Sequence, residues 1–272
     1  MKDMLLRSLS GLLYVTLLIV VLSLNTPHPF IILFFILGIL SLFELKKLIQ
    51  LKSSIPYFIF VILFAVFGYW QMALNSDTGL NEATQILMVL TIFVDLFLIK
   101  DLFSRKVIPL FSTKRFIVTT FYLSSGFVFL VLIASVFSPK ILLGAFILVW
   151  VNDSFAYIVG KNFGKQKLFE KISPKKTVEG FLGGLFFSCV ASYFIYNITE
   201  TLNFTNWLIL AIIVTVFGTL GDLIESKFKR QANVKDSGTI MPGHGGLLDR
   251  LDSIIFASPF IYLFLRILHY VS

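Results

Sequence analysis

Nine apolar stretches, each close to the length that carries a helix across a bilayer, restrict what this 272-residue chain can fold into. They are Leu5–Leu24, Phe30–Leu48, Ile55–Leu74, Ala83–Ile99, Phe116–Phe137, Ile141–Gly160, Val178–Ile198, Thr205–Ile224 and Leu248–Val271. About 20 helical residues span about 30 Å of hydrocarbon, so each stretch predicts one crossing. The composition agrees, with 57% hydrophobic and 14% charged residues where a soluble domain has about 25% charged. The reading is an all-α polytopic membrane protein. Residues 1–24 are too long for a signal peptide and lack a small-residue cleavage site, so they read as a retained first span. The single cysteine, Cys189, excludes an intrachain disulfide. No connection is long enough for a separate soluble domain. One integral unit is expected, with five helices in residues 1–137 and four helices with their loops in residues 138–272.

The basic residues orient the bundle. Of the 23 Lys and Arg residues, all but Lys140 and Arg266 fall on connections of one side. The positive-inside rule puts that side, and the N-terminus, in the cytoplasm; after nine crossings the C-terminus lies outside. The net charge of +8 is then a membrane-surface charge suited to anionic lipid and nucleotide, not to nucleic acid. Trp150 and Trp207, near span ends, fit interfacial anchoring. Glu44 and Asp95 are expected to pair with Lys47 and Lys100. The abundant phenylalanine reads as packing and lipid-facing bulk.

Chemistry concentrates between Ser226 and Asp252. Lys227, Lys229, Arg230, Lys235, Asp236, His244, Asp249, Arg250 and Asp252 gather there between two apolar stretches, with Asp222 and Glu225 just upstream. Charges at a hydrocarbon boundary are costly, so such a cluster marks a functional site. Lys and Arg suit phosphate oxygens, and paired carboxylates suit a hard divalent cation. Gly238, Gly243, Gly245 and Gly246 let the backbone turn tightly and approach a ligand. Asp222, Ser226 and Lys229, spaced i, i+4, i+7, share a helix face with Glu225 beside them; a solvated helix end with a Glu225–Lys229 pair would produce the same spacing. Asp249 and Asp252 share a face in the first turn of the last helix, where the macrodipole already favours acids. Asp222 and Asp249, from different helices, are candidates to clamp a divalent metal, or a metal pair, on triphosphate oxygens.

Two further segments join them. In Ser173-Pro-Lys-Lys-Thr-Val-Glu-Gly180 the Ser-Pro pair reads as a helix start, with Lys175 and Lys176 beside it as an anion site. Asp153, after Asn152 inside the sixth span, needs a lysine or a metal as partner. His244 could be a phosphate donor, a base, a ligand or a turn residue; a supporting role fits it, because a phosphate monoester is already an anionic nucleophile and needs no base. Gly160, Gly180, Gly183, Gly184, Gly218 and Gly221 read as sites of close helix approach.

The run Ser226-x-Phe-Lys-Arg-x4-Lys-Asp-x-Gly-x2-Met-Pro-x-His-Gly-Gly-x2-Asp-Arg-x-Asp resembles the signature of the phosphatidate cytidylyltransferases, the CDP-diacylglycerol synthases. Met241 stands where that family has Leu, Ile or Phe, an apolar exchange. Ser173-Pro-Lys-Lys-Thr-x-Glu-Gly and Asn152-Asp153 are similar to the same family, so the resemblance covers about residues 140–255. It implies transfer of CMP from CTP to phosphatidic acid, with release of pyrophosphate. It also implies a Mg2+-type divalent cofactor, one or two ions, on Asp222 and Asp249. The catalytic set is Asp222, Asp249, Lys229 and Ser226, and the substrate-binding set Asp153, Lys175, Lys176, Arg230, Lys235, His244 and Arg250. A multi-pass enzyme of the cell membrane, working at its cytoplasmic face and as a homodimer, goes with it. Two other readings fit parts of the pattern. A CTP-dependent lipid kinase, or an enzyme activating a different lipid phosphate, would share the cluster but differ in products. A transporter would show ionisable residues at several depths and inverted repeats; here they collect at one face and no repeat is visible.

Overall fold

The computed structural model describes residues 2–24, 26–70, 80–104, 114–241, 243 and 245–271. Within them helix covers every apolar stretch. In chain order these are α1 (Lys2–Ser23), α2 (Pro27–Leu48) and α3 (Ile55–Leu63, running on as a π-helical stretch Phe64–Trp70). Next come α4 (Leu80–Phe103), α5 (Arg115–Phe137) and α6 (Pro139–Phe163). A short hairpin, β1 (Lys167–Phe169) and β2 (Ser173–Thr177), then leads to α7 (Val178–Thr199), α8 (Phe204–Gln231) and α9 (Leu248–Val271). The architecture is therefore all-α and membrane-like. Among the described residues, six helices are individually long and apolar enough to cross a membrane: α2 and α5 to α9. The apolar parts of α1 and α3, Leu9–Ser23 and Ile55–Tyr69, are shorter, and α4 carries Glu82, Asp95, Lys100 and Asp101.

The helices assemble around α5, whose residues 122–134 are all buried. A helix apolar on every face belongs in the middle of a bundle. It is not regular: Val118–Ser124 and Ile133–Phe137 are π-helical. Hydroxyls lie against the widened turns, Ser124 Oγ donating to the Thr119 carbonyl at 2.8 Å and Thr119 Oγ to the Arg115 carbonyl at 3.1 Å. Such side-chain bonds compete with the main-chain ladder and accompany its bends. Against α5 packs α9, with Ser258 Oγ donating to the Gly126 carbonyl at 2.9 Å.

The second half of the chain closes on itself through α6–α7 and α8–α9 pairs, with α7 also against α8. Each pair needs a glycine at its crossing. A Cβ at Gly184 would collide with Asn152 on α6, and one at Gly221 would lie 2.8 Å from the Asp252 carbonyl and 2.6 Å from the Phe256 Cβ. Close approach is thus what these glycines do, and the second crossing sets Asp222 beside Asp252. Phe217 and Phe260 stack at 3.6 Å to hold the same pair.

Four local expectations are corrected. Ser173 does not cap a helix: Ser173–Thr177 is the second strand, in antiparallel register Phe169↔Ser173 and Lys167↔Thr177. The cap is Thr177, whose Oγ1 accepts from the Gly180 amide at 3.1 Å, while Glu179 in the first turn accepts from the Lys165 and Gln166 amides at 3.0 and 3.2 Å. Pairing with β1 keeps Ser173-Pro-Lys-Lys extended, so the helix starts four residues later. Trp207 is no interfacial anchor, being fully buried against Gly144. Glu44 does not pair with Lys47; it accepts from the Leu248 amide at 2.8 Å and from Ser237 Oγ at 3.3 Å. Asp95 is buried and one of its oxygens has no hydrogen-bond partner; a pair with Lys100 is not among the ion pairs of the described residues.

Candidate active site

Where the C-terminal half of α6 and the starts of α7 and α9 meet α8, they enclose a cleft of about 320 Å³. Its charged lining is Asp153, Asp222, Asp249 and Asp252 against Lys175, Lys176 and Arg250. Four carboxylates opposite three cations in so small a volume is a costly arrangement at a membrane boundary unless the groups pair or serve a ligand. Beside the charges the wall turns apolar through Leu168, Ala156, Tyr157 and Phe181, and Tyr157 is 67% exposed, facing out of the bundle. The cleft lining therefore combines multiple charges with apolar side chains.

The helices explain the charged lining. Helix α8 runs to Gln231, seven residues past the end of its apolar stretch, or about 10 Å of extra helix. That extension carries the predicted stripe. Ser226 Oγ donates to Asp222 Oδ1 at 3.2 Å, and the other Asp222 oxygen is in direct ion contact with the Lys176 ammonium. Lys229 pairs with Glu225 Oε2 at 2.6 Å and with Asp249 Oδ1 at 2.7 Å. The i,i+4 pair that a solvated helix end would form is present, but it is not solvated: Glu225 is 0% exposed and Lys229 9%. Through its second partner, Asp249, Lys229 also joins α8 to the first turn of α9.

Asp249 is held more firmly than any other acid of the cleft. Besides Lys229 it accepts from the Ser237 amide at 3.0 Å and from the Gly246 amide at 2.9 Å. Gly245, with φ of +93°, makes the turn that presents Gly246. The glycines here fold the loop onto its own acids. Arg250, the next residue, lines the cleft.

Of the predicted residues, the cleft lining thus brings together Asp153, Lys175, Lys176, Asp222, Asp249 and Arg250. Ser226 and Lys229 lie one layer behind, each bonded to a lining aspartate. Arg230 turns elsewhere, donating to the Ile172 carbonyl at 3.2 Å and the Val234 carbonyl at 3.3 Å, so it braces the hairpin. Lys235 is exposed and outside the lining. His244 lies outside the described residues. Sequence reasoning singled out Glu225 beside the stripe but missed the importance of Glu44, which it paired with Lys47. Lys227, named in the charged cluster, pairs with Asp101 of α4 at 2.6 Å, a partner the sequence did not indicate. A second, larger cavity of about 620 Å³ lies at the opposite end of the bundle; among the described residues its only charged lining residue is Lys140, and they offer no acid–base constellation there.

The donor set can be tested against a divalent metal. Hard cations take carboxylate oxygens, and four aspartates face the cleft. The Lys176 ammonium resting on Asp222 shows that a cation is accommodated at that carboxylate. Among the described residues no three His, Cys, Asp or Glu side chains converge as a finished cage. That suits Mg2+, which keeps several waters and binds through one or two carboxylates plus substrate phosphates.

Comparison with known proteins places the whole chain. A phosphatidate cytidylyltransferase of Bacillus subtilis is 36% identical over 273 residues, covering 98% of this chain and 99% of its own length. One from Staphylococcus aureus strain COL is 48% identical over 126 residues, 46% of this chain and 48% of its own. One from Staphylococcus saprophyticus reaches 51% over 126 residues, with the same coverage. The profile of the cytidylyltransferase family matches residues 5–268. Matched almost end to end by that profile and by the Bacillus relative, the chain belongs to the cytidylyltransferase family.

Proposed function

We propose that this enzyme transfers CMP from CTP to phosphatidic acid, giving CDP-diacylglycerol and pyrophosphate. One observation carries the reading: a single cleft is lined by four aspartates and three cations together with apolar side chains, the exposed Tyr157 among them. A triphosphate needs the charges and a two-chain lipid the apolar side chains. The names of the relatives support both substrates. In the reaction a phosphate oxygen of phosphatidic acid forms a bond to the CTP α-phosphorus. The bond from that phosphorus to the bridging oxygen breaks in line, and pyrophosphate leaves with the electron pair. No base is needed for an anionic nucleophile. Lys175, Lys176 and Arg250 bind phosphate oxygens and hold the two anionic substrates together, which is a large part of what such a transfer requires. Ser226 orients Asp222, and Lys229 orients Asp249. Asp222 and Asp249, with Asp153 and Asp252 beside them, would hold one or two divalent ions, Mg2+ first, whose chemistry is to neutralise charge on the triphosphate. Purified protein with labelled CTP, phosphatidic acid and magnesium should release pyrophosphate and form the liponucleotide. Release of CDP would identify a kinase instead.

The placement in the membrane belongs to the same proposal. Nine helical segments cross, the N-terminus and the cleft face the cytoplasm, and residues 1–137 scaffold the reacting half within one unit of the cell membrane, as a homodimer. The basic connections support this orientation. Cysteine placed at Lys165 or at the exposed Lys235 should resist an impermeant thiol reagent in sealed right-side-out vesicles, whereas cysteine at Lys140 should react. Equal labelling at all three positions would refute the topology.

A further inference from the structure

The loop that carries Asp249 and Arg250 into the cleft is built around a carboxylate from the other half of the chain. Glu44, on α2, is 1% exposed. Its Oε2 accepts from the Leu248 amide at 2.8 Å and from Ser237 Oγ at 3.3 Å, partners more than 190 positions away. Leu248 opens α9, and a helix start needs acceptors for its first amides. The residues before it are Gly245, Gly246 and Leu247, none with a side chain that can cap. The acceptor is borrowed from α2. Ser237 relays the contact, because its amide bonds Asp249 at 3.0 Å, and Asp249 in turn bonds Lys229. The backbone also fits closely: a Cβ at Gly246 would lie 2.8 Å from Glu44 Oε2, and one at Gly238 would collide with Oε1. These two glycines approach Glu44, not a ligand. Among the described residues Oε1 itself is buried without a hydrogen-bond partner, as is the hydroxyl of Ser41 one turn earlier. A buried orphan oxygen is a standing cost, and a carboxylate is a poor choice here if filling space were all that was needed.

We propose that Glu44 is a positioning residue for the transfer reaction, setting the 237–248 loop and the first turn of α9 so that Asp249 and Arg250 enter the cleft. This rests on the reading of the cleft as the site of cytidylyl transfer. It also gives the first half of the chain, which carries no motif, a part in placing the reacting groups.

The test uses the full-length protein in detergent micelles, with two readouts. In hydrogen exchange, Glu44→Ala should release the segment 236–248 at least about tenfold faster while the 165–177 hairpin keeps its rate; losing a hydrogen bond to a charged group is of that order. This measurement does not depend on the reaction. In turnover, Glu44→Gln should lower kcat by about tenfold to a hundredfold with KM for phosphatidic acid unchanged, and Glu44→Ala should fall further. Gly238→Ala should be damaging alone yet nearly neutral on the Glu44→Ala background, because the atoms it strikes are gone. If wild type makes no liponucleotide, the proposed reaction fails while the exchange result still decides the role of Glu44. Unchanged exchange in segment 236–248, equal acceleration throughout the protein, or kcat of Glu44→Gln within twofold of wild type would overturn the positioning role. Where Glu44→Ala does not fold, Ser237→Ala, which breaks the relay and spares the α9 cap, must show the same local release.

Discussion

Asp222→Asn and Asp249→Asn are each expected to lower magnesium-dependent turnover by at least about a hundredfold, the scale on which a single electrostatic partner of a transfer reaction is felt. The substitution keeps shape and removes charge. At Asp222 it leaves Lys176 without its ion partner, while the remaining amide group can still bond Ser226. At Asp249 it places an amide nitrogen against the Lys229 ammonium or the Ser237 and Gly246 amides, none of which can accept from it. If the two aspartates serve one metal-bound triphosphate, the double variant should be barely slower than either single, since groups that act as a unit lose together. Glu82→Gln, exposed at the far end of α4, is the control and should be silent. The magnesium dependence of each variant, with folding checked by size exclusion, decides the matter. A single variant with near-normal turnover removes that residue from the site, and losses that multiply in the double variant assign the two acids independent roles.

The lengths of the apolar stretches made the helices legible because a bilayer rewards continuous hydrophobicity with little ambiguity. Val178 and Leu248 open helices where the sequence places them, and Leu48 and Phe137 close them. What it could not convey was the depth of partnership. Lys229 and Glu225 sit at ordinary surface spacing, and only the packing of α4, α5 and α9 on α8 turns their pair into a buried one. The Ser-Pro pair at 173 carries a sound local cap signal, overridden because β1 offers Lys167–Phe169 as a strand partner. Local propensity loses to pairing of that kind. Trp207 failed as an anchor for a similar reason: Gly144 on α6 leaves a hollow that an indole fills.

The cleft itself was largely visible beforehand, and for a physical reason. Charges are scarce in this chain, so each one near an apolar stretch is informative in a way it would not be on a soluble surface. Asp153, Lys176, Asp222, Asp249 and Arg250 come from three segments far apart in sequence and meet in one cavity. Glu44 shows the limit of that logic. It too is a charge in an apolar helix, but Lys46 and Lys47 nearby offered an easy local partner, and nothing within α2 points to Leu248.

Lys229→Met should damage stability and activity by separable routes. The ammonium is shared between Glu225 and Asp249, both largely buried. Removing one member of a buried pair leaves an uncompensated charge and costs about 3–5 kcal/mol. Asp249 retains two backbone donors and tolerates the loss; Glu225, fully buried and with its Oε1 already unpartnered, does not. The stability loss should therefore be repaired by neutralising Glu225. In Lys229→Met with Glu225→Gln, the unfolding midpoint in detergent should return most of the way to wild type, while turnover stays low because Asp249 is no longer tied to α8. Lys52→Ala, at an exposed position between α2 and α3, should change neither. An unfolding midpoint for Lys229→Met equal to that of Lys52→Ala would show that the buried pair contributes nothing to the fold. Turnover restored together with stability in the double variant would show that Lys229 matters only as a counter-charge to Glu225 and not for placing Asp249.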